Sequence, residues 1–324
     1  MTDRRSEALS AVHRVEFAVD WPPGHVASYL VDCEEPTLVD AGMPGPDGED
    51  VLRESLAAVD CDLADVDHLV LTHPHVDHIG QVGAVLDGAD PTVYAPAGVR
   101  ERFDRDTEDL EATVRENATA AGLTGDELER AVSMAVESLE RNRTLLPPDA
   151  VDVWFEDGDR LEIGGTPVDV VHTPGHQADH CCLRVDLGDP ALVSGDMGIE
   201  PFRPVAIHAG LDDGVAEAIG AFYGALDTLS TLESEVERVY PGHGPVHADL
   251  AGAVARDRSS LDRMLDRTES QVASGMETAV EVAEARAGDR DIAYIIAEVV
   301  GALHHLEREG RVAASVVDGV RRYR

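Results

Sequence analysis

Between Thr72 and Gly80 the chain reads THPHVDHIG, which gathers His73, His75, Asp77 and His78 into six positions. Imidazole nitrogens and a carboxylate at that density suit a divalent cation of borderline hardness. The competing readings are a solvated polar turn, or core histidines satisfied by backbone carbonyls. His73 and His75 are two residues apart, so on an extended segment they point the same way. Three later stretches repeat the theme. HTPGH ends in His176, VSGD in Asp196 and YPGHG carries His243, each following an apolar segment that reads as a strand. The ends of buried strands are where an α/β scaffold presents chemistry, and packing alone does not account for three such endings.

The elements that must position these residues can be read from periodicity. Strand signals lie at 12–19, 27–32, 36–42 and 67–73, with an amphipathic helix at 47–59. A helix leaves the histidine cluster through HIGQVGAVL, and a strand returns at 91–95. Residues 97–146 then read as two helices without a strand, a helical insertion. There Thr124 and Glu127 have capping-box spacing, Leu128, Val132, Ala135 and Leu139 mark one face, and Pro147 and Pro148 stop the helix. Strands resume at 151–156, 160–163, 167–173, 180–187 and 191–196, followed by a helix near 213–232 and a strand in ERVYPGHG. The fold class is therefore α/β, with a catalytic unit at 1–248. From 249 to 324 the pattern turns helical. Ile292, Ile296, Val299, Leu303 and Leu306 stripe one helix, Gly310 closes it, and an Asp318-Gly319 turn predicts a hairpin. Helix, helix, hairpin is the outline of a winged-helix-like module; a docking helix with a frayed tail is the plainer alternative.

Composition bounds what this assembly can do. Acidic residues number 64 and basic residues 26, all of them arginine, for a net charge of −38, yet 43% of the chain is hydrophobic. The expectation is a folded protein with an acidic shell suited to a high-salt cytoplasm, where charges are screened over about 3 Å near 1 M salt. In ordinary salt that charge disfavours nucleic acid and anionic membranes. Cys33, Cys61, Cys181 and Cys182 have neither zinc-knuckle nor disulfide-framework spacing, which suggests a reducing compartment. The N-terminal MTDRRSEALS lacks an apolar core, and no apolar run reaches the 18 residues of a membrane span. The expectation is a soluble, cytoplasmic protein.

THPHVDH, HTPGH, SGD and PGHG, in this order and with LVDAG at 38–42 before them, resemble the metallo-β-lactamase superfamily over roughly residues 12–246. The resemblance implies an αββα sandwich with two divalent metal ions at one edge. Zinc fits the donors, and iron or manganese fit almost as well. His73, His75 and His176 would hold the first metal, Asp77, His78 and His243 the second, and Asp196 would bridge them, with Asp40 orienting ligands from behind. It also implies a hydrolase in which a metal-bridging hydroxide, oriented by Asp77, attacks the ester, thioester or lactone of a small-molecule substrate. The true dizinc β-lactamases use a cysteine ligand that is an aspartate here, so β-lactams are not the expected substrates. Glyoxalase II enzymes and lactonases share the His/Asp set, as does a branch with a C-terminal winged helix, some members of which cut RNA. The basic residues that hold glutathione in a typical glyoxalase II are missing near the end of this chain.

The alternative is a phosphodiesterase or ribonuclease whose C-terminal module binds nucleic acid through Arg311, Arg321, Arg322 and Arg324, unless those arginines pair with the surplus carboxylates. One-metal oxygen chemistry at iron, as in persulfide dioxygenases, leaves His78 and His243 without a role. Among the remaining residues, His172 reads as structural and His180 as either a second layer behind the ligands or surface. Cys181 and Cys182 read as core, His304 and His305 as surface. His208, Arg203 and Tyr223 are candidates for substrate contact.

Overall fold

The computed structural model describes residues 12–288 and 291–324; the N-terminal MTDRRSEALS lies outside them. Its first sheet runs β1 (Val12–Ala18), β2 (His25–Val31), β3 (Thr37–Val39), β4 (His68–Val70), β5 (Thr92–Pro96) and β6 (Val153–Phe155), hydrogen-bonded in that order. β1 to β3 pair antiparallel, and β3 to β6 pair parallel. The second sheet contains β7 (Arg160–Ile163), β8 (Thr166–His172), β9 (Cys181–Asp186), β10 (Pro190–Gly195) and β11 (Arg238–Pro241), in the order β11-β10-β9-β8-β7. Only its β10–β11 pair is parallel.

Period-two alternation sorts neighbouring side chains into two cores. Val39, Val70, Cys181, Val193 and Tyr240 meet between the sheets. Their chain neighbours Leu38, Leu69, Cys182, Leu192 and Val239 face outward, under helices. This is an αββα sandwich. The adjacent cysteines are both buried, one in each core, and burial pushes the Cys182 thiol up to about 12. Both are packing residues.

The helices are α1 (Pro46–Ala57), α2 (Val76–Ile79), α3 (Val82–Gly88), α4 (Ala97–Phe103), α5 (Thr107–Ala121), α6 (Gly125–Leu145), α7 (Ala218–Leu232), α8 (Leu250–Ala273), α9 (Ala279–Ala287) and α10 (Ile296–Arg308). The single helix expected after the histidine cluster is two, α2 and α3. Gly80 between them is right-handed, at φ −60°. A Cβ there would lie 2.2 Å from Pro44 N and 2.4 Å from Gly42 O, so glycine serves close backbone approach rather than freedom of φ. The insertion holds three helices rather than two. Thr124 does precede α6, but its side chain makes no capping bond. Gly125, left-handed at φ 54°, separates that hydroxyl from the first-turn amides.

Ile292 falls in a short 3-10 turn, Ile292–Tyr294, because the Asp291 carboxylate accepts from Ala293 N at 2.9 Å and starts a separate turn. The chain ends in β12 (Ala314–Val317) and β13 (Val320–Tyr323), joined by Asp318 and Gly319 at φ 53° and 82°. Two left-handed central residues make this a tight hairpin turn of the primed type. Tyr323 is buried and its amide donates to Glu277 O at 2.7 Å, which ties the hairpin to the start of α9. α10 buries Ile296, Val299, Leu303 and Leu306, and packs closely on α7 at Gly301, where a Cβ would fall 3.1 Å from Ala218 Cβ. Full burial of each such aliphatic side chain contributes about 1.5–3 kcal/mol, so these helices are packed onto the sandwich rather than tethered to it.

Candidate metal centre

The seven residues singled out by their spacing come to one edge of the sandwich. Each is delivered just past a strand end: His73 and His75 after β4, Asp77 and His78 on α2, His176 after β8, Asp196 after β10 and His243 after β11. Donor atoms of His73, His75, His176 and Asp196 lie within 4.8 Å of one another, and those of Asp77, His78 and His243 form a second such group. Nε2 of His176 is 2.9 Å from Nδ1 of His75, and Nε2 of His73 is 3.1 Å from the same atom. Asp196 faces both groups, with Oδ2 at 3.1 Å from His176 Nε2 and Oδ1 at 3.3 Å from His78 Nε2.

The outward-facing ring nitrogens explain why these atoms converge. His176 Nδ1 meets Val205 O at 2.9 Å, and His243 Nδ1 meets His25 O at 2.8 Å. A carbonyl can only accept, so each Nδ1 carries a proton, which leaves Nε2 as the atom able to offer a lone pair. His78 Nδ1 is 2.8 Å from Asp40 Oδ2. The Thr72 hydroxyl is 2.9 Å from the same oxygen and 3.0 Å from His73 Nδ1, so it donates to the carboxylate and accepts from the imidazole. Four imidazoles thus aim Nε2 inward, where each can offer a lone pair to a cation in place of a proton. His75 is turned the other way, its Nε2 meeting the Gln177 side-chain amide, which also bonds Arg102.

Lone pairs and carboxylate oxygens facing one another require something positive between them. His78 Nε2 and Asp196 Oδ1 are buried without a hydrogen-bond partner. Burial alone lowers the pKa of His78, but the Asp196 and Asp40 carboxylates outweigh it and raise that pKa well above the ordinary value. Asp77 is also buried, which works to raise its pKa, yet its bond to His243 and the nearby His78 hold it down at about 2. The same electrostatics that would draw a proton into the gap suit a divalent cation, and the donor set is of the nitrogen and oxygen type that binds one.

Close approach makes the site possible. A Cβ on Gly242 would fall 2.5 Å from His78 Cε1 and 2.7 Å from Asp196 Oδ1, and one on Gly195 would fall 2.6 Å from His180 Nε2. His180 belongs to the layer behind the ligands, not the surface: it is fully buried, its Nε2 accepts from Asp196 N at 3.0 Å, and its Nδ1 meets Thr173 Oγ1 at 2.8 Å. His172 is structural, with Nε2 at 2.7 Å from Ala178 O.

Two expectations for substrate contact, Arg203 and Tyr223, do not hold. Arg203 is turned inward, donating to Glu298 at 2.8 Å and to Pro204 O at 2.6 Å. Tyr223 bonds Asp262 at 2.6 Å in a cleft between α7 and α8, stacked on His305. His208, left-handed at φ 52°, stays beside the ligand loop, its amide donating to His176 O at 2.9 Å. His304 and His305 are half-buried rather than fully exposed. Of the basic cluster, Arg311 is bound to Asp266 and Glu269, Arg321 to Glu307 and Arg322 to Glu277. Thr72, Gln177 and Asn142 were not singled out from sequence, although each is a polar residue next to a ligand or on an apolar stripe.

Comparisons with known proteins agree with this geometry. The family model of the metallo-beta-lactamase superfamily matches residues 21–247. A probable metallo-hydrolase of Bacillus subtilis, YqjP, is 42% identical over 64 residues, 20% of each chain. An atrochrysone carboxyl ACP thioesterase of Aspergillus novofumigatus is 25% identical over 242 residues, covering 70% of this chain and 53% of its own. The matched segments thus span only a fifth and about half of those two relatives. Another atrochrysone carboxyl ACP thioesterase, from Cryptosporiopsis, is 22% identical and covers 88% of this chain and 68% of its own. Among solved structures, a metallo-beta-lactamase family protein from Thermus thermophilus superposes with a TM-score of 0.74 at 23% identity, covering 97% of this chain and 98% of that one. A beta-lactamase domain protein from Burkholderia ambifaria reaches the same score at 21% identity, covering 97% and 92%. With the five motifs, the sandwich and the converging donors on one edge, the chain belongs to the metallo-beta-lactamase superfamily.

Proposed function

We propose that the chain is a dinuclear metal-dependent hydrolase of activated acyl bonds, with thioesters as the leading substrate class ahead of lactones and simple esters. The observation that carries this reading is the set of inward-facing ring nitrogens and carboxylate oxygens, divided into two groups with Asp196 facing both. His73, His75, His176 and Asp196 would hold one ion and Asp77, His78 and His243 the other; zinc, iron or manganese each suit these donors. Bound divalent ions supply Lewis acidity toward the substrate carbonyl and lower the pKa of water.

The chain's own residues do the rest. Asp77, ionised at neutral pH, offers the carboxylate oxygen not turned to His243 as acceptor for the attacking water's proton and fixes its direction of approach. Asp40 and Thr72 keep His78 and His73 in the required tautomer. With all seven residues engaged, none of them is left as a protonated acid for the leaving group. A thiolate, whose conjugate acid has a pKa of about 8.5, departs without such help, unlike an amine. The thioesterase relatives point the same way, and the neutralised arginines of the C-terminal hairpin weigh against a nucleic-acid substrate.

The test is metal analysis of the purified chain, then turnover of a panel of thioesters, lactones and phosphodiesters in high salt, before and after chelation. The expected result is two metals per chain, with thioester hydrolysis lost on chelation and restored by zinc or manganese. Undiminished thioester turnover in metal-free protein, or faster cleavage of phosphodiesters than of thioesters, overturns the reading.

A further inference from the structure

The C-terminal helices reach the backbone behind His176 by way of Arg203, which Ser260 of α8 and Glu298 of α10 both bond. Glu298 stands in the first turn of α10 and is almost wholly buried. Its Oε1 accepts from Ala206 N at 3.0 Å and from Arg203 Nη2 at 2.8 Å. Arg203 in turn donates through Nη1 to Pro204 O at 2.6 Å, and its guanidinium lies over the Phe222 ring at 5.4 Å. The peptide units on both sides of Val205 are therefore gripped by a single buried ion pair. Val205 O is the atom that meets Nδ1 of His176 at 2.9 Å. Gly175, just before His176, packs on that same Phe222, where a Cβ would fall 2.6 Å from Phe222 Cα.

A buried carboxylate and guanidinium are costly to desolvate, so their pairing is weak evidence of a gain in stability. Their geometry suits fixing a loop better than cementing an interface that α10 already secures with Ile296, Val299, Leu303 and Leu306. The geometry points to Glu298 as a positioning residue: through Arg203 and the 203–206 loop, the C-terminal helices set the tautomer and direction of His176, and so the affinity of the group it shares with His73, His75 and Asp196. This rests on the metal-dependent reading above and assigns the C-terminal helices a part in it that does not involve nucleic acid.

The test uses the full chain with Glu298→Ala, Glu298→Gln and, as a control for loosening the same helix, Leu303→Ala. Zinc affinity is measured by chelator competition, alongside the melting temperature of the metal-free chain. Losing a partner behind a ligand weakens metal binding about 10- to 100-fold. Glu298→Ala is expected to weaken one of the two zinc equivalents by that factor and leave the other unchanged. Glu298→Gln keeps an acceptor for Ala206 N and should lie between wild type and Glu298→Ala; it decides the question if Glu298→Ala does not fold. Leu303→Ala is expected to lower the melting temperature with both zinc affinities intact. Unchanged zinc affinities in the Glu298 variants, or equal weakening in Leu303→Ala, overturn the assignment while leaving the two-metal reading standing. A wild-type chain that takes up none of zinc, manganese and iron removes both.

Discussion

Asp40 holds the ligands from a backbone conformation that few non-glycine residues adopt, φ 59°, and from there its carboxylate reaches both Thr72 and His78. Strain of this kind costs of order 1–3 kcal/mol and persists where the surroundings over-determine it. The same residue-scale logic applies to His180, whose neutral form is required because Nε2 accepts the Asp196 amide. Burial, with His176 nearby, lowers its pKa from 6.5 to about 3. A base with a depressed folded-state pKa adds stability that is complete above its unfolded value and is lost as pH falls towards the folded one. The metal-free chain should therefore melt at progressively lower temperature as pH drops below 6.5. His180→Gln, which keeps an acceptor for Asp196 N, should show a shallower decline, by circular dichroism at a series of pH values. Equal slopes for the two proteins would exclude His180 as the source.

At the scale of elements, the helical insertion and the C-terminal helices each place a buried polar side chain against a loop at the site. In the insertion this is Asn142 of α6, whose Nδ2 donates to Pro74 O at 2.8 Å, inside the stretch that carries His73 and His75. Removing it leaves a buried carbonyl unpaired, at about 1–3 kcal/mol. Asn142→Ala should lower the unfolding free energy by that amount in urea titrations of the metal-free chain; a change within error would mean that water replaces the amide. The strands and the seven site residues were legible in the sequence because apolar alternation and a terminal His or Asp are local signals. Asn142 follows Leu139 by three positions, on the apolar stripe of α6, where an amide needs a partner. The stripe betrays that it is buried, but not that its partner lies 68 residues earlier. Glu298, Gln177 and Val205 were illegible for the same reason, since each acts through a contact that exists only once distant segments have packed. The tight approach at Gly80 is illegible for the same reason, since the backbone it makes room for, at Gly42 and Pro44, lies far back along the chain.

For the whole molecule the governing quantity is the net charge of −38. Many of the arginines are committed: Arg105, Arg184, Arg256 and Arg311 each face two or more carboxylates. The surplus acid is therefore unneutralised, and it repels itself across the surface. Raising salt from about 0.1 M to about 1 M shortens the Debye length from about 10 Å to about 3 Å. Two effects then compete. Exposed ion pairs weaken, but each contributes only about 0–1 kcal/mol to begin with. The repulsion among dozens of like charges is relieved all at once, and it acts only on the compact state in full strength. The sum favours salt, so the melting temperature of the metal-free chain should rise steadily over this range in both sodium and potassium chloride. A flat or falling curve would mean that the arginine pairs outweigh the acidic surplus, and a rise in only one of the two salts would point to a specific ion site in place of screening.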